Sequence, residues 1–451
     1  MTESNSTDGE ASADRATAGR IAALALPALG VLAAEPIYLL FDIAVVGRLG
    51  ALSLAGLAIG GLVLTVVGSQ LTFLAYGTTA RAARFYGAGN RGAAVGEGVQ
   101  ATWLALVLGV AIVAVVQFGA GPVVALIAGP GSGGAEIAHA ALPWLRIAVL
   151  GVPAILISLA GNGWMRGVQD AMRPLRYALI GFGASAVLCP TLVYGWFGAP
   201  RLELAGSAVA NLAGQLVAGG LFISALLAEK VSLRVDPPVL RAQIRMGRDL
   251  VLRTMAFQVC FVSAGAVAAR FGAAAVAAHQ VVLQLWNFLA LVLDSLAIAA
   301  QSLVGAALGA GRAAAAKSVA VRVTAFSTIA AAVAAAVLAA GAAVLPPLFT
   351  SDRSVQAAIG VPWWFMVAQL PFAGMVFALD GVLLGAGDAA FMRSATLVSA
   401  AVGFLPLIWL ALVFGWGLAG IWSGLSAFIV LRLMFAGWRA FSGRWLVPGS
   451  G

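Results

Sequence analysis

Apolar runs of about 20 residues, the length a helix needs to cross a hydrocarbon layer, recur twelve times along the chain. They begin near residues 20, 53, 95, 137, 175, 203, 247, 275, 318, 355, 392 and 416. Each continues for roughly 20–30 residues. Short segments containing Gly and Arg separate many of them, such as RAARFYGAGNR at 81–91 and RAQIRMGR at 241–248. The pattern predicts an all-α polytopic membrane protein with twelve transmembrane helices. The opening stretch, MTESNSTDGEASADRATA, is polar and acidic and lacks the apolar core of a signal peptide. It is expected to form a disordered cytoplasmic tail over residues 1–18.

The runs also repeat. GRLGALSLAGLA (47–58) aligns with ARFGAAAVAAHQ (269–280) at an offset of 222, and the same offset lays GAGNR (87–91) over GAGRA (309–313). NGWMRGVQD (162–170) then matches DGVLLGAGD (380–388) at 218, and LAGSAVA (204–210) matches LAGIWSG (418–424) at 214. Order is preserved and each half holds six spans, so both halves cross in the same direction. That is a parallel repeat about an axis along the membrane normal. The expected organisation is an N-terminal six-helix bundle over 19–228, a cytoplasmic linker over 229–248 and a C-terminal six-helix bundle over 249–451. Two such bundles around a central cleft suit rocking-bundle alternating access.

Composition agrees with this reading and removes the soluble classes. Hydrophobic residues make up 62% of the chain and charged residues only 10%, against about 25% charged in an ordinary soluble domain. A net charge of +9 could suggest nucleic acid, but its placement points elsewhere. Of 26 Lys and Arg, only Arg48, Arg146, Arg201, Arg270 and Arg353 fall on one side, leaving 21 on the other. Positive residues mark the cytoplasmic face. Both termini are therefore expected in the cytoplasm, with the protein in the plasma membrane and no nucleic-acid partner. The two cysteines, Cys189 and Cys260, lie inside apolar runs, and there are two histidines. Neither a disulfide nor a metal site is indicated.

Charge inside the spans is costly and rare, so the few acids there carry the chemistry. Glu35, Asp42, Asp294 and Asp380 are the four that lie clearly within apolar runs. On the first span Glu35, Tyr38 and Asp42 follow at i, i+3 and i+7, on one helix face. A carboxylate facing a bundle interior loses its water, which penalises the charged form. Such a group can take a proton on one side and release it on the other, or hold a cation once deprotonated. Pro27 and Pro36 weaken or kink the same helix and are hinge candidates. On the eighth span Gln280, Gln284, Asn287, Asp294 and Gln301 form a polar stripe at offsets of 0, 4, 7, 14 and 21. That stripe either lines the cleft or packs through hydrogen bonds, and the neighbouring Trp286 and Phe288 could stack on a flat cation. Asp380 lies opposite Asn162 in the repeat. A position shared by Asn and Asp suggests a structural acid, with Arg253 as its neutralising partner.

Three stretches carry a family resemblance: EPIYLLFDIAVVGRLG (35–50), NGWMRGVQDAMRPL (162–175) and AAHQVVLQLWNFLALVLDSLAIAAQSLVGAALGAG (277–311). Through them the chain resembles the multidrug and toxic compound extrusion (MATE) transporters, in particular the DinF-like branch, over nearly all residues after about 18. The resemblance implies a twelve-helix efflux protein driven by a proton or sodium gradient. The family's first-helix aspartate falls on Asp42, and its first-helix proline on Pro27. Related prokaryotic transporters often carry Asn and Asp on the fifth span and Thr on the sixth. The corresponding positions here are Ser185, Cys189 and Asn211. Loss of the second carboxylate weakens a sodium site, because a hard cation prefers several charged or carbonyl oxygens, and so favours protons.

The combined expectation is a secondary active multidrug antiporter of the cytoplasmic membrane, with no cofactor, acting as a monomer. It would export amphipathic or cationic organic compounds, with H+ (less readily Na+) coupled through Asp42. An enzyme is disfavoured, because the sequence has no HExxH zinc motif, nucleophile elbow or Walker-type loop. A lipid-linked precursor flippase would call for a strongly basic cleft, whereas few Lys or Arg lie in mid-span. A receptor or scaffold without transport leaves the repeat and the buried acids unexplained.

Overall fold

The computed structural model describes residues 18–449, which form helices joined by short turns, with no strand among them. The tail expected over 1–18 lies, except for Ala18, outside the described residues. Twelve helices are long and apolar enough to cross a membrane. In the N-terminal half these are α1 (Ala18–Leu49), α2 (Ala51–Gly87), α3 (Arg91–Ala128), α4 (Ser132–Gly167), α5 (Met172–Tyr194) and α6 (Leu204–Ala228). In the C-terminal half they are α7 (Pro237–Arg270), α8 (Ala273–Gly309), α9 (Ala313–Ala340), α10 (Arg353–Gly385), α11 (Ala389–Phe414) and α12 (Gly417–Phe441). They coincide in order with the twelve apolar runs. Of the segment read as a linker over 229–248, only the part before Pro237 is turn or extended chain; the remainder is the start of α7.

Helices are the answer to a solvent that offers no hydrogen bonds, because each backbone amide finds its partner within its own segment. The ends need other partners. Asn90 caps α3 by accepting from the Ala93 amide at 2.9 Å, and Asp352 caps α10 by accepting from the Ser354 amide at 2.8 Å. The Asp352 carboxyl lies beyond the spans, and hydrogen bonds from the Ser354 hydroxyl and backbone hold it below the usual carboxylate range.

The chain divides into two compact units. The N-unit comprises 27–82 and 90–245. Its closest helix pairing is α5 against α6, where small residues let the backbones approach. A Cβ on Gly214 would overlap the Ser185 hydroxyl and the Gly181 carbonyl, and one on Gly181 would meet Ala218. A buried ion pair fixes the other end of this unit. Glu97 on α3 accepts from Arg81 through both carboxylate oxygens, at 2.8 and 2.7 Å, and from the Gln243 amide at 2.8 Å. Gln100, one turn further along α3, donates to the Arg234 carbonyl at 2.8 Å and accepts from the Asp236 amide at 2.9 Å. The connection after α6 is thereby strapped to α3.

The C-unit comprises 18–26 and 83–89, with the chain from 246 onward. Its core is built from large side chains of α10, α11 and α12, including Trp363, Met366, Phe404, Trp422 and Phe428, around α7 and α8. Here the repeated GAG motif has a physical reason. A Cβ on Gly87 would overlap the Ala306 backbone, and one on Gly309 would overlap the Arg84 backbone. Gly87 and Gly309 are repeat partners at the 222 offset, as are Arg84 and Ala306. The ends of α2 and α8 therefore cross backbone to backbone in a reciprocal contact that tolerates no side chain.

The α5–α6 approach can be tested by substitution. Gly214→Ala is expected to lower the stability of the detergent-purified protein by about 1–3 kcal/mol, seen as a lower thermal midpoint. Gly183→Ala on α5, where a Cβ meets nothing within 4 Å, should leave the midpoint unchanged or slightly higher.

Candidate functional site

Three helices of the N-unit converge on Asp42, which is 1% exposed. From α6, the Ser207 hydroxyl lies 2.7 and 2.9 Å from the two carboxylate oxygens. From α5, the Cys189 thiol donates to one of them at 3.2 Å. A second layer orients the hydroxyl: the Trp144 indole N–H of α4 donates to Ser207 Oγ at 3.3 Å. With an indole hydrogen on its oxygen, Ser207 is set to turn its own hydrogen toward Asp42. Trp144 is positioned in turn by Gly60 on α2, where a Cβ would run into the indole ring. Asp42 makes no ion pair with any described residue, so its partners are one hydroxyl and one thiol.

An apolar layer closes the pocket on one side. Val45, Cys189, Val193 and Ala210 form a buried cluster, with Leu49, Leu188, Leu192 and Tyr194 packed against it. The Tyr194 hydroxyl donates to the Val45 carbonyl at 2.7 Å, which joins the end of α5 to the end of α1. Tyr38 lies one turn before Asp42, with its ring 5.5 Å from Phe182. Its buried hydroxyl faces Ser185 without a well-formed hydrogen bond. Ser185 itself is buried under the α5–α6 crossing.

The structure thus brings together Asp42, Tyr38, Ser185 and Cys189 among the residues singled out from sequence. It does not bring in Asn211, which is one turn beyond Ser207 on α6 and makes no hydrogen bond with a described residue. The hydroxyl at this site is Ser207, which sequence reasoning missed, as it missed Trp144. A signal for Ser207 existed in the repeat: the 214 offset sets it against Ile421, a polar residue where the other half is apolar. The same holds for Asp42, since the 222 offset gives Ala264, which is buried. Glu35 is exposed and has no hydrogen bond or ion pair with a described residue. Pro27 is buried and Pro36 exposed within one continuous helical segment, Ala18–Val46. The division between the two units falls between Leu26 and Pro27.

The stripe on α8 separates into two parts. Gln280, Gln284 and Asn287 are exposed and make no hydrogen bond with a described residue, whereas Asp294 is half-buried and Gln301 buried, and both have partners. Trp286, expected to offer a stacking face, is 7% exposed and packed into the C-unit core, where its large apolar surface is shielded from water. The open aromatic beside the stripe is Phe288, at 60%. Asp380 is paired with Arg253, as anticipated, and also with Arg432 from α12.

Membrane-length helices in two repeated halves, with a carboxylate buried among neutral donors, define a multi-pass membrane protein with the makings of a transporter. The chain belongs to the MatE family, whose sequence profile matches residues 27–191 and 250–410; its members are transporters and not enzymes. The chain is 30% identical over 434 residues to DNA damage-inducible protein F of Escherichia coli, covering 91% of this chain and 89% of that protein. It is also 30% identical over 432 residues to Protein DETOXIFICATION 44, chloroplastic, of Arabidopsis thaliana, covering 93% and 81% respectively. The fold matches a MATE transporter crystallised in the bent conformation, with a TM-score of 0.83 at 21% identity over 94% of both chains.

Substitutions at two positions separate the site seen in the structure from the one read in the sequence. Ser207→Ala removes a hydrogen bond to a charged group and is expected to slow transport in vesicles about tenfold. Ser207→Thr, which keeps the hydroxyl, should retain most of the rate, and Asn211→Ala should change it less than twofold.

Proposed function

We propose that this protein exports amphipathic organic compounds, cations among them, across the cytoplasmic membrane in exchange for protons, with Asp42 as the coupling carboxylate. The observation that carries the proposal is the Asp42 pocket: a buried carboxylate with no cationic partner among the described residues, bonded among them only by Ser207 and Cys189. A structural acid in a span normally has a permanent counter-charge, and the described residues supply none here. It is therefore free to be neutralised by an arriving proton.

Protonation changes what the pocket asks of its neighbours. The ionised carboxylate accepts hydrogens from Ser207 and Cys189; the protonated group carries a hydrogen of its own and needs an acceptor. Ser207 can serve as that acceptor after its hydroxyl rotates, because Trp144 occupies only one of its lone pairs. Each protonation state thus favours a different set of hydrogen bonds linking α1 to α5 and α6. A difference of that kind is what lets an ion bias one conformation over another. Pro27, at the boundary between units, supports bending of α1 there. Sodium fits the pocket less well, since one carboxylate and one hydroxyl supply few hard oxygens and a thiol is a soft neighbour.

The repeat and the distribution of arginines support cytoplasmic termini and alternating access between two states. The relatives support the substrate class: one, at 24% identity over 94% of this chain, is a probable multidrug resistance protein NorM of Thermotoga maritima.

Transport into inside-out vesicles tests the reading, with ethidium followed under a proton gradient alone and then a sodium gradient alone. Wild type should accumulate ethidium under the proton gradient, and folded Asp42→Asn should lose that uptake at least tenfold. Normal transport by Asp42→Asn, or drive by sodium alone, would overturn the assignment.

A further inference from the structure

The C-unit contains a second charged cluster that the coupling site does not use. Asp380 on α10 is bonded through one oxygen to Arg253 of α7 and to Arg432 of α12. Two guanidinium groups share one carboxylate, which leaves one positive charge over. Arginine cannot discharge by losing its proton inside a protein, so the surplus is permanent. Leaving a charge unpaired in a low-dielectric interior is strongly unfavourable.

The surplus is met in part by aromatic faces. Arg253 and Arg432 both lie over the Phe257 ring, at 5.4 and 4.9 Å to its centroid, and Arg432 also lies over Phe428 at 5.4 Å. Phe257 and Phe428 meet edge to face at 5.5 Å. An aromatic face attracts a cation but gives far less than a carboxylate. Hydrogen-bonding capacity is left over as well, because Arg253 Nε is buried with no partner. The cluster is not sealed: the side chains of Arg253, Asp380 and Arg432 are 16%, 13% and 7% exposed. It is a mostly buried cluster flanked by two aromatic rings, with one surplus positive charge and a spare but buried N–H donor.

We propose that this cluster binds the anionic group, a carboxylate or phosphate, of a small amphipathic compound, with the apolar part of that compound against Phe257. The proposal rests on the export reading for its purpose but not for its chemistry: it names a substrate class that carries a negative charge, alongside the cations that the family resemblance suggests. A guanidinium fork matches a carboxylate or phosphate in shape as well as charge. Asp380 tunes the site by cancelling one of the two arginines, so that the site attracts an anion without holding two.

Equilibrium binding to the detergent-purified protein tests this without any gradient, and so independently of coupling and export. The probes are 1-pyrenebutyrate and its uncharged methyl ester, which share one apolar body. Wild type should bind the carboxylate at least about tenfold more tightly than the ester. Arg253→Gln, which leaves a one-to-one Asp380–Arg432 pair, should abolish that preference and leave ester binding unchanged. Asp380→Asn, which frees both arginines, should strengthen carboxylate binding several-fold, a gain that a folding defect does not produce. Equal affinity of wild type for the two probes, or a preference untouched by Arg253→Gln, would overturn the proposal. Repeating the titration with phosphatidylglycerol in the detergent separates the two sources of anion. Full displacement of the probe by lipid assigns the site to a headgroup and overturns the small-compound reading, whereas retention supports it. Failure of ethidium transport with this binding pattern intact would defeat the export reading and leave the site standing.

Discussion

A charge taken out of water must be given back something in its place: an opposite charge, a set of oriented dipoles, or a proton that removes the charge altogether. The buried charges described above use these solutions in different ways. Glu97 has a bidentate arginine and a glutamine amide, a complete set that locks the connection after α6 to α3. Asp380 has two arginines, more cation than it needs. Among the described residues Asp42 has only a hydroxyl and a thiol. The three environments therefore differ in what they leave unfinished: nothing at Glu97, a positive charge at Asp380 and, at Asp42, a carboxyl with no counter-charge among the described residues. The proposed functions use the unfinished ones, since an incomplete charge balance is what a proton or an anionic ligand can complete.

The two halves of the chain show how one scaffold carries different chemistry. Repeat-related glycines, Gly87 and Gly309, make reciprocal backbone contacts, so the scaffold positions keep their residue type. The charged positions do not. Asp42 faces Ala264 across the repeat, Ser207 faces Ile421, and Asp380 faces Asn162. Each half has kept the helix packing that its fold requires and placed its incompletely balanced carboxylate on a different helix, α1 in one and α10 in the other.

Close packing is what gives these side chains fixed neighbours. In hydrocarbon there is little hydrophobic drive to join helices, and association depends on backbones coming near enough for contact. Gly181 and Gly214 bring α5 and α6 together, and this approach sets Cys189 and Ser207 at hydrogen-bonding distance from one carboxylate. Trp144, seated on Gly60, does the same for the hydroxyl of Ser207. The pocket around Asp42 is thus a product of glycine positions on three helix surfaces, none of which touches the carboxylate.

The sequence by itself determined the twelve spans and the parallel repeat, and it singled out Asp42 and Asp380 as acids within spans. All of these follow from one-dimensional quantities: the length of apolar runs, their offsets, and the rarity of acids within them. It also placed Tyr38, Ser185 and Cys189 near the site, since the fifth span could be set beside the first by resemblance. Tertiary structure decided which α6 residue meets the carboxylate. Ser207 and Asn211 lie one turn apart on the same face, and only the axial position of α6 against α1 separates them. It also decided that Trp286 belongs to a core and not to an open face, and that Arg432, 52 residues beyond Asp380 in the chain, shares its carboxylate with Arg253. Those outcomes depend on how far each helix slides and turns against its neighbours. Apolar periodicity does not encode that quantity, because lipid-facing and packed surfaces are both apolar in a membrane.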